Sequence, residues 1–357
     1  MSMTDKGPLR YRLIDGVATP VLPEGRRSPS RMVRRGTAIA CWAYAATLLG
    51  AWAIARLSPA SSWPVHLLLY GPAWVAALPA VVLIPLVAWL RRPWSAAAVG
   101  LGLVGFVGVS GFNVPWGTPL ASPPRPGEPL RVLTCNVQGK DLKADVLATL
   151  IREARPDVIC LQECTLSDPI ATLGLEGWQA RTAGEHCLAS RFPIEEFAEL
   201  RRPDKSYRII AVRARLVRPG GDVPIASVHL LTPRRGLEPL VETKVTGLAA
   251  FREIAATQSY ESELLRRWVE RAPESLVLAG DFNLTAEQPL FRRDWSSYRD
   301  AFAWTGWGLG HTMFTRLIGL RIDHVLCGSR WLPRSCAVGP DVGSAHRPVV
   351  VELAPVP

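Results

Sequence analysis

Three long apolar stretches before residue 115 constrain this chain more than any other feature. "AIACWAYAATLLGAWAIA" covers residues 38–55, "VHLLLYGPAWVAALPAVVLIPLVAWL" covers 65–90, and "WSAAAVGLGLVGFVGVSGF" covers 94–112. A helix needs about 20 apolar residues to cross the hydrocarbon core of a bilayer. The near absence of charge argues against buried helices of a soluble domain, and the late first stretch argues against a cleaved signal peptide. We predict three transmembrane helices.

The basic residues around these stretches predict their orientation. Five lie in the 12 residues just before the first stretch and two separate the second from the third, whereas one lies in the first loop: Arg26, Arg27, Arg31, Arg34 and Arg35, then Arg91 and Arg92, and Arg56 alone. Because basic loops stay in the cytoplasm, we expect everything after residue 113 to lie outside it. The predicted parts are a mostly disordered cytoplasmic tail (1–36), the spans (37–113), a Pro-rich linker (114–129) and an extracytoplasmic domain (130–357) of an inner-membrane protein.

The positive charge is concentrated in the membrane part. The chain carries a formal +10, but residues 1–124 hold 11 Lys or Arg against 3 Asp or Glu, and residues 125–357 hold 30 against 28. The later domain therefore lacks the basic bias of a strong nucleic-acid footprint. No Cys or His spacing predicts a zinc site, and the spans contain almost none of the ionisable residues that mark a transport pathway.

From Leu130 onward, short apolar strands alternate with helical patterns, as in an α/β fold. We predict strands in "LRVLTCNVQG", "PDVICLQE", "LVLAGDFN", "RIDHVLC" and "SAHRPVVVEL" and near residues 186–190, 208–217 and 224–230, with helices over 141–154 and 240–271. The predicted strands share one feature, which is that polar residues stand at their ends: Asn136, Glu163, His229, Asp281 with Asn283, Asp323, and His346 before the last strand. Rigid strand ends are where layered folds position their sites.

These motifs, in this order and at this spacing, resemble the endonuclease/exonuclease/phosphatase superfamily. Members include pancreatic deoxyribonuclease, apurinic endonucleases, neutral sphingomyelinases and inositol polyphosphate 5-phosphatases. The resemblance runs from about residue 130 to 353, and the layout resembles a membrane-anchored bacterial subgroup. It also rests on "SRFPI" at 190–194, "SVHL" at 227–230 and "GDFN" at 280–283. It implies a four-layered α/β sandwich of two mixed sheets with helices outside.

The resemblance implies a role for each strand-end residue. Glu163, with Asn136 beside it, would bind Mg²⁺, with Mn²⁺ as the alternative ion, because hard cations prefer oxygen ligands. Asp281 would orient and deprotonate the attacking water, and Asn283, two residues on, would donate to a phosphate oxygen. Three further residues would surround the phosphate. His346 would contact it, Asp323 would orient His346, and His229 would be a second donor.

Two further features qualify the expected function. The superfamily usually has Ser-Asp-His before the last strand, but this chain has Ser344-Ala345-His346. We therefore expect weaker or single-metal binding. Arg234 and Arg235 follow His229 and are candidate substrate-binding residues, although they could equally be solvated surface charges.

The function predicted by these features is a membrane-anchored, metal-dependent phosphodiesterase acting on nucleic acid or phospholipid head groups. The alternative is a catalytically weakened or inactive binding domain of the same fold on the same anchor.

Overall fold

The computed structural model of the protein describes residues 11–14, 17–20, 29–60, 62–115, 128–138, 141–204, 207–233, 245–270 and 274–356. A short antiparallel hairpin, β1 (Tyr11–Ile14) and β2 (Val17–Pro20), lies within the tail for which disorder was predicted. Most of the predicted Pro-rich linker lies outside the described residues.

The apolar third forms helices that are long and apolar enough to cross a membrane, as predicted. The spans are Arg31–Leu57, Ala73–Leu90 and Pro93–Ser110, with mean hydropathies of 1.6, 2.2 and 1.5. The elements are α1 (Arg31–Leu57), α2 (Trp63–Leu69), a 3₁₀ helix (Ala73–Ala77), α3 (Leu78–Leu90) and α4 (Pro93–Ser110).

The bounds of the first two spans differ from the prediction for local reasons. Helix α1 begins seven residues early because the Ser30 side chain accepts from the Val33 N–H and caps the helix. The predicted second span, 65–90, is not one helix, because Gly71 and Pro72 separate α2 from the 3₁₀ helix. Proline removes a backbone donor and disfavours helical geometry in the residue before it. Helix α2 is thus a separate segment between two spans.

The glycine stripe of α4 packs against α1. A Cβ atom at Gly105 would lie 2.7 Å from the backbone carbon of Leu48, and one at Gly102 would lie 2.6 Å from the Tyr44 ring. Small residues let helix backbones approach closely in lipid, where no hydrophobic effect drives association. Gly102 and Gly105 therefore form a packing surface of α4.

The later part contains two six-stranded mixed sheets. The first has the order β11–β14–β10–β9–β8–β7 and the second the order β15–β16–β3–β4–β6–β5. Strands β9 and β10 are parallel in the first sheet, and β3 and β4 are parallel in the second. In chain order the strands are β3 (Leu130–Asn136), β4 (Val158–Gln162), β5 (Gln179–Ala183), β6 (His186–Ser190), β7 (Ile194–Arg201), β8 (Ile209–Leu216), β9 (Val223–His229), β10 (Val277–Asp281), β11 (Arg299–Asp300), β12 (Met313–Phe314), β13 (Gly319–Leu320), β14 (Asp323–Cys327), β15 (Trp331–Val338) and β16 (Val349–Pro355).

Helices cover the outer face of each sheet, which gives the four layers that were predicted. One apolar core, including Val132, Ile225 and Val351, lies between the sheets. A second core joins the first sheet to α7 (Val245–Val269) and α8 (Pro289–Trp295), and a third joins the second sheet to α5 (Ala144–Ala154) and α6 (Pro169–Leu173). A short helix, α9 (Ala301–Thr305), follows β11.

The sheets contact the three apolar helices at one end of the helical bundle. Arg292 of α8 donates to the Ala55 carbonyl in the last turn of α1 at 2.7 Å. Trp74 donates through Nε1 to the Leu317 carbonyl at 2.8 Å. Asn113, just after α4, donates to the Gly306 carbonyl at 2.6 Å. The end of α1, the start of the segment Ala73–Leu90 and the end of α4 therefore meet the sheets on the same side.

Candidate active site

Strand register places three of the predicted site residues side by side. Asp281 ends β10 and pairs with His229 of the parallel strand β9 on one side and with Asp323 of the antiparallel strand β14 on the other. Asp281 and Asp323 are almost fully buried, at 1% and 2% exposed, and His229 is 8% exposed. The backbone ladder thus fixes two carboxylates and an imidazole at one edge of the first sheet.

The second sheet brings Asn136, Glu163 and His346 to the same edge. Asn136 ends β3, and Glu163 directly follows β4 with a left-handed backbone, φ 50°. His346 precedes β16 and forms an isolated bridge with Met313. The two sheets therefore meet at a cluster that contains every described residue of the predicted site.

Asn136 joins the two sheets across this cluster. Its Nδ2 donates to Glu163 Oε1 at 2.8 Å and to Asp281 Oδ2 at 3.1 Å. The side chain of Glu163 is 36% exposed, whereas that of Asp281 is 1% exposed. One amide thus bridges a carboxylate that is open to solvent and one that is enclosed.

His346 and Asp323 form a tight pair. His346 Nδ1 lies 2.9 Å from Asp323 Oδ2, and the Thr312 hydroxyl donates to the same oxygen at 2.6 Å. Burial alone would lower the pKa of His346, but the charges of Asp323 and Asp281 outweigh it and raise this pKa to about 9. His346 is therefore a charged imidazolium at neutral pH, and its Nε2 lies 3.9 Å from Asp281 Oδ2.

Asp281 is held by donors and has an unusually high pKa. It accepts from the Asn283 backbone N–H at 2.8 Å and from Asn283 Nδ2 at 3.1 Å. Burial, reinforced by the charge of Asp323, raises the pKa of Asp281 to about 7 despite opposing effects of His346 and of the hydrogen bonds from the Asn136 side chain and the Asn283 N–H. A carboxylate with a pKa near neutrality is suited to accept a proton from water.

Asn283 faces protein groups in this arrangement. Besides Asp281, its Nδ2 donates to the Leu230 carbonyl at 2.9 Å. The direct contact of Asn283 to a phosphate oxygen stays a prediction, because both amide hydrogens already have protein acceptors.

His229 is neutral at the inner wall of the cluster. Burial lowers the pKa of His229 well below its usual value, with further lowering by Arg208, His186 and His346. Its Nε2 lies 3.5 Å from Glu163 Oε1 and 3.8 Å from Asp281 Oδ2. A neutral imidazole still offers one N–H, so these contacts are between a dipole and carboxylates, not ion pairs.

The donor set fits a hard divalent cation. Glu163 Oε1 and Asp281 Oδ2 converge on one Nδ2 of Asn136. A half-turn of that amide would break the hydrogen bond from the Gln138 N–H and present Oδ1 instead, so that Glu163 and Asn136 would supply two oxygen donors beside Asp281. Asp281, Asp323 and His346 also bring atoms within 4.8 Å of one another and could hold a metal. Within this group, the hydrogen bond between His346 Nδ1 and Asp323 already accounts for the closeness of those two residues.

Two predicted features remain: the arginines expected to bind substrate, and Ala345, which stands where the superfamily usually has Asp. Arg234 and Arg235 lie outside the described residues. Ala345 lies beside His346, and its N–H donates to Gln138 Oε1 at 3.1 Å. Gln138, which the sequence did not indicate, thus holds the backbone where the superfamily usually has Asp.

Three other residues that touch the cluster gave no signal in the sequence: Tyr70, Gln258 and Thr312. Thr312 precedes a two-residue strand, and neither Tyr70 nor Gln258 lies in a motif. Each reaches the cluster only through tertiary packing.

Comparison with known proteins agrees with this fold. A family model described as the Endonuclease/Exonuclease/phosphatase family matches residues 133–346. Similar solved structures include a 3′ phosphatase NExo from Neisseria bound to product DNA hairpin (18% identity, 62% of this chain and 98% of that chain, TM-score 0.50). Another is the 3′-5′ exonuclease NExo from Neisseria meningitidis (19% identity, 63% and 100%, TM-score 0.50). At this identity the likeness shows the fold alone. No curated protein sequence matches the chain.

Proposed function

We propose that this chain, which belongs to the Endonuclease/Exonuclease/phosphatase family, is a membrane-anchored, divalent-metal-dependent hydrolase that cleaves a phosphodiester by attack of water. One observation carries the proposal: a proton acceptor, a fixed imidazolium and an oxygen-rich cation site lie within one hydrogen-bonded cluster. Asp281 is the acceptor, His346 with Asp323 is the imidazolium, and Glu163 with Asn136 supplies the cation site.

The chain's own residues divide the work on the substrate. Asp281 takes a proton from the attacking water as the new phosphorus–oxygen bond forms, and the bond to the leaving oxygen breaks. His346 donates from Nε2 to a non-bridging phosphate oxygen, while Asp323 holds its Nδ1 and balances its charge. Neutral His229, whose Nε2 lies 3.5 Å from Glu163 Oε1, donates a second hydrogen bond.

A divalent cation bound by Glu163 and Asn136 would neutralise charge on the phosphate and on the leaving oxygen. We propose Mg²⁺ as this ion, with Mn²⁺ as the alternative. The exposed side chain of Glu163 leaves room for the water molecules that Mg²⁺ usually keeps.

We propose a phospholipid head group, with nucleic acid as the second candidate, because one rim of the site lies against the membrane part. That rim is the hairpin Met313–Leu320, which we call the rim hairpin. The Phe314 N–H donates to the Ala345 carbonyl at 2.8 Å, beside His346, and the Leu317 carbonyl accepts from Trp74. Phe314 and Leu317 are 41% and 69% exposed. An apolar rim at the start of a membrane span favours a substrate that is held in the bilayer.

The near-neutral charge of residues 125–357 supports the same choice. Phosphate contacts along a nucleic acid need many Lys and Arg residues. The alternative, an inactive binding domain, keeps some support from Ala345, which removes one anionic group from the site.

The test uses the full chain reconstituted in lipid nanodiscs and assayed with supercoiled plasmid and with phospholipid vesicles. Cleavage of phospholipid that needs Mg²⁺, and that His346→Ala and a chelator both abolish, is the expected result. Nicking of plasmid with no lipid cleavage would replace the lipid substrate by nucleic acid. A folded chain that binds Mg²⁺ and cleaves neither would contradict the enzyme assignment.

A further inference from the structure

Tyr70 belongs to the connection between the first two membrane spans but is buried in the catalytic part. It directly follows α2 and is 4% exposed. Its ring packs against Leu320 and Ile322, which lie just before the strand that carries Asp323. Its hydroxyl donates to the backbone carbonyl of Asn283 and lies 3.4 Å from Gln288 Oε1.

The carbonyl that Tyr70 holds belongs to a residue in an unusual conformation. Asn283 has φ 49°, the left-handed region, which side chains other than glycine seldom adopt without support. Gln258 Nε2 donates to the same carbonyl at 2.7 Å. On the opposite side, the Asn283 N–H and side-chain amide donate to Asp281. Asn283 is therefore held from behind by Tyr70 and Gln258 and in turn holds Asp281 in front.

The Tyr70 hydroxyl is suited to donate at this position. Burial raises the pKa of Tyr70 well above its usual value, so the hydroxyl keeps its proton. The Asn283 carbonyl and Gln288 Oε1 beside it are both acceptors.

We infer that the connection between the first two membrane spans is a built part of the active site, with Tyr70 as a positioning residue that fixes Asp281 through Asn283. The inference rests on the proposed function for the role of Asp281, but the contact itself does not depend on it. The anchor then contributes to the site itself. Without α2 and Tyr70, the catalytic part loses a donor to the Asp281–Asn283 turn, and Leu320 and Ile322 become exposed.

The test is Tyr70→Phe in the full chain, in lipid nanodiscs, because this change keeps the ring and its packing and removes only the hydroxyl. Tyr44→Phe is the matched control: Tyr44 is also buried, lies in α1, and its hydroxyl has no hydrogen-bond partner. Hydrolysis of bis(4-nitrophenyl) phosphate with Mg²⁺ reports kcat and KM. Hydrogen exchange of peptides spanning residues 277–290 reports local order without reference to activity.

For Tyr70→Phe we expect kcat to fall about 5- to 20-fold with KM within about twofold of wild type, because misplacing a catalytic group affects the transition state more than ground-state binding. We also expect faster exchange in residues 281–285, and no change in either readout for Tyr44→Phe.

The outcomes separate this inference from the proposed function. Faster exchange in Tyr70→Phe with an inactive wild type would support the structural coupling and count against the proposed function. An active wild type with unchanged kcat and unchanged exchange in Tyr70→Phe would overturn the inference. A lower kcat with equal loss in Tyr44→Phe would also overturn it.

Discussion

In the first sheet, His229, Asp281 and Asp323 stand side by side because the register of three adjacent strands places them there. We call these three residues the register half. In the second sheet, Glu163 lies just beyond its strand in a left-handed conformation and meets Asn136 through one side-chain hydrogen bond. We call Glu163 and Asn136 the metal half.

The difference between the halves matches the chemistry proposed for each. Proton transfer needs groups held within tenths of an ångström, and a backbone ladder supplies that rigidity. A cation with its own water molecules needs an oxygen that solvent can reach, and Glu163 is the most exposed member of the cluster. We therefore expect that activity lost by a substitution in the register half does not return at higher Mg²⁺ concentration. Activity lost by a substitution in the metal half should return.

The largest effect is expected for Asp281→Asn, which removes the proton acceptor of the register half. We expect kcat to fall about 10³-fold, within the range for loss of a general base, with Mg²⁺ affinity changed far less. Steady-state kinetics over a Mg²⁺ titration checks this. Full recovery of rate at high Mg²⁺ would show that Asp281 serves only to bind metal.

A smaller effect is expected for Glu163→Gln in the metal half. We expect Mg²⁺ affinity, measured calorimetrically, to fall at least about tenfold, while kcat at saturating Mg²⁺ stays within about fivefold of wild type. Glu153→Gln, on the exposed face of α5, is the control and should change neither value. Loss of kcat that excess metal does not restore would erase the distinction between the two halves.

The third effect is a pH dependence that arises from His346, the hydrogen-bond partner of Asp323 in the register half. The folded pKa of His346, about 9, lies above its unfolded value near 6.5. The pair with Asp323 therefore contributes stability that is fully present below pH 6.5 and is lost as pH rises through 9. Because catalysis uses the charged form, kcat should fall up to about tenfold per pH unit above 9. His346→Gln should remove this alkaline limb, and an unchanged limb in that variant would assign it to another group.

The smallest effect is expected from restoring the superfamily's usual residue, Ala345→Asp. An added carboxylate beside Gln138 and His346 should raise Mg²⁺ affinity by about threefold, because affinity for hard cations increases with ligand charge. Ala345→Asn, which adds the same volume without charge, is the control. Equal affinity in both variants would mean that position 345 does not face the metal half.

The sequence predicted the parts of the fold and the cluster that depend on local pattern. Apolar strands ending in Asp281 or Glu163 can be recognised one at a time, and the resemblance of the ordered motifs to the superfamily implies which strand ends meet. The second span shows where local pattern is insufficient: its composition is apolar throughout, and only the pair Gly71 and Pro72 marks the break that frees α2.

The supporting residues could not be predicted because their partners are far away in the chain. Tyr70 and Asn283 are 213 positions apart, and their contact depends on how the membrane helices pack against the first sheet. Thr312 reaches Asp323 across 11 positions, because the rim hairpin Met313–Leu320 folds the chain back between them. Such residues complete hydrogen bonds that only the folded chain creates.

Isotope labelling tests directly whether the cluster makes water attack phosphorus. The full chain in nanodiscs would hydrolyse bis(4-nitrophenyl) phosphate with Mg²⁺ in water enriched in oxygen-18. We expect one labelled oxygen in each phosphate monoester product, with product formation lost in Asp281→Asn. Product without the label, or a folded and metal-binding wild type that forms no product, would rule out attack of water on phosphorus by this cluster.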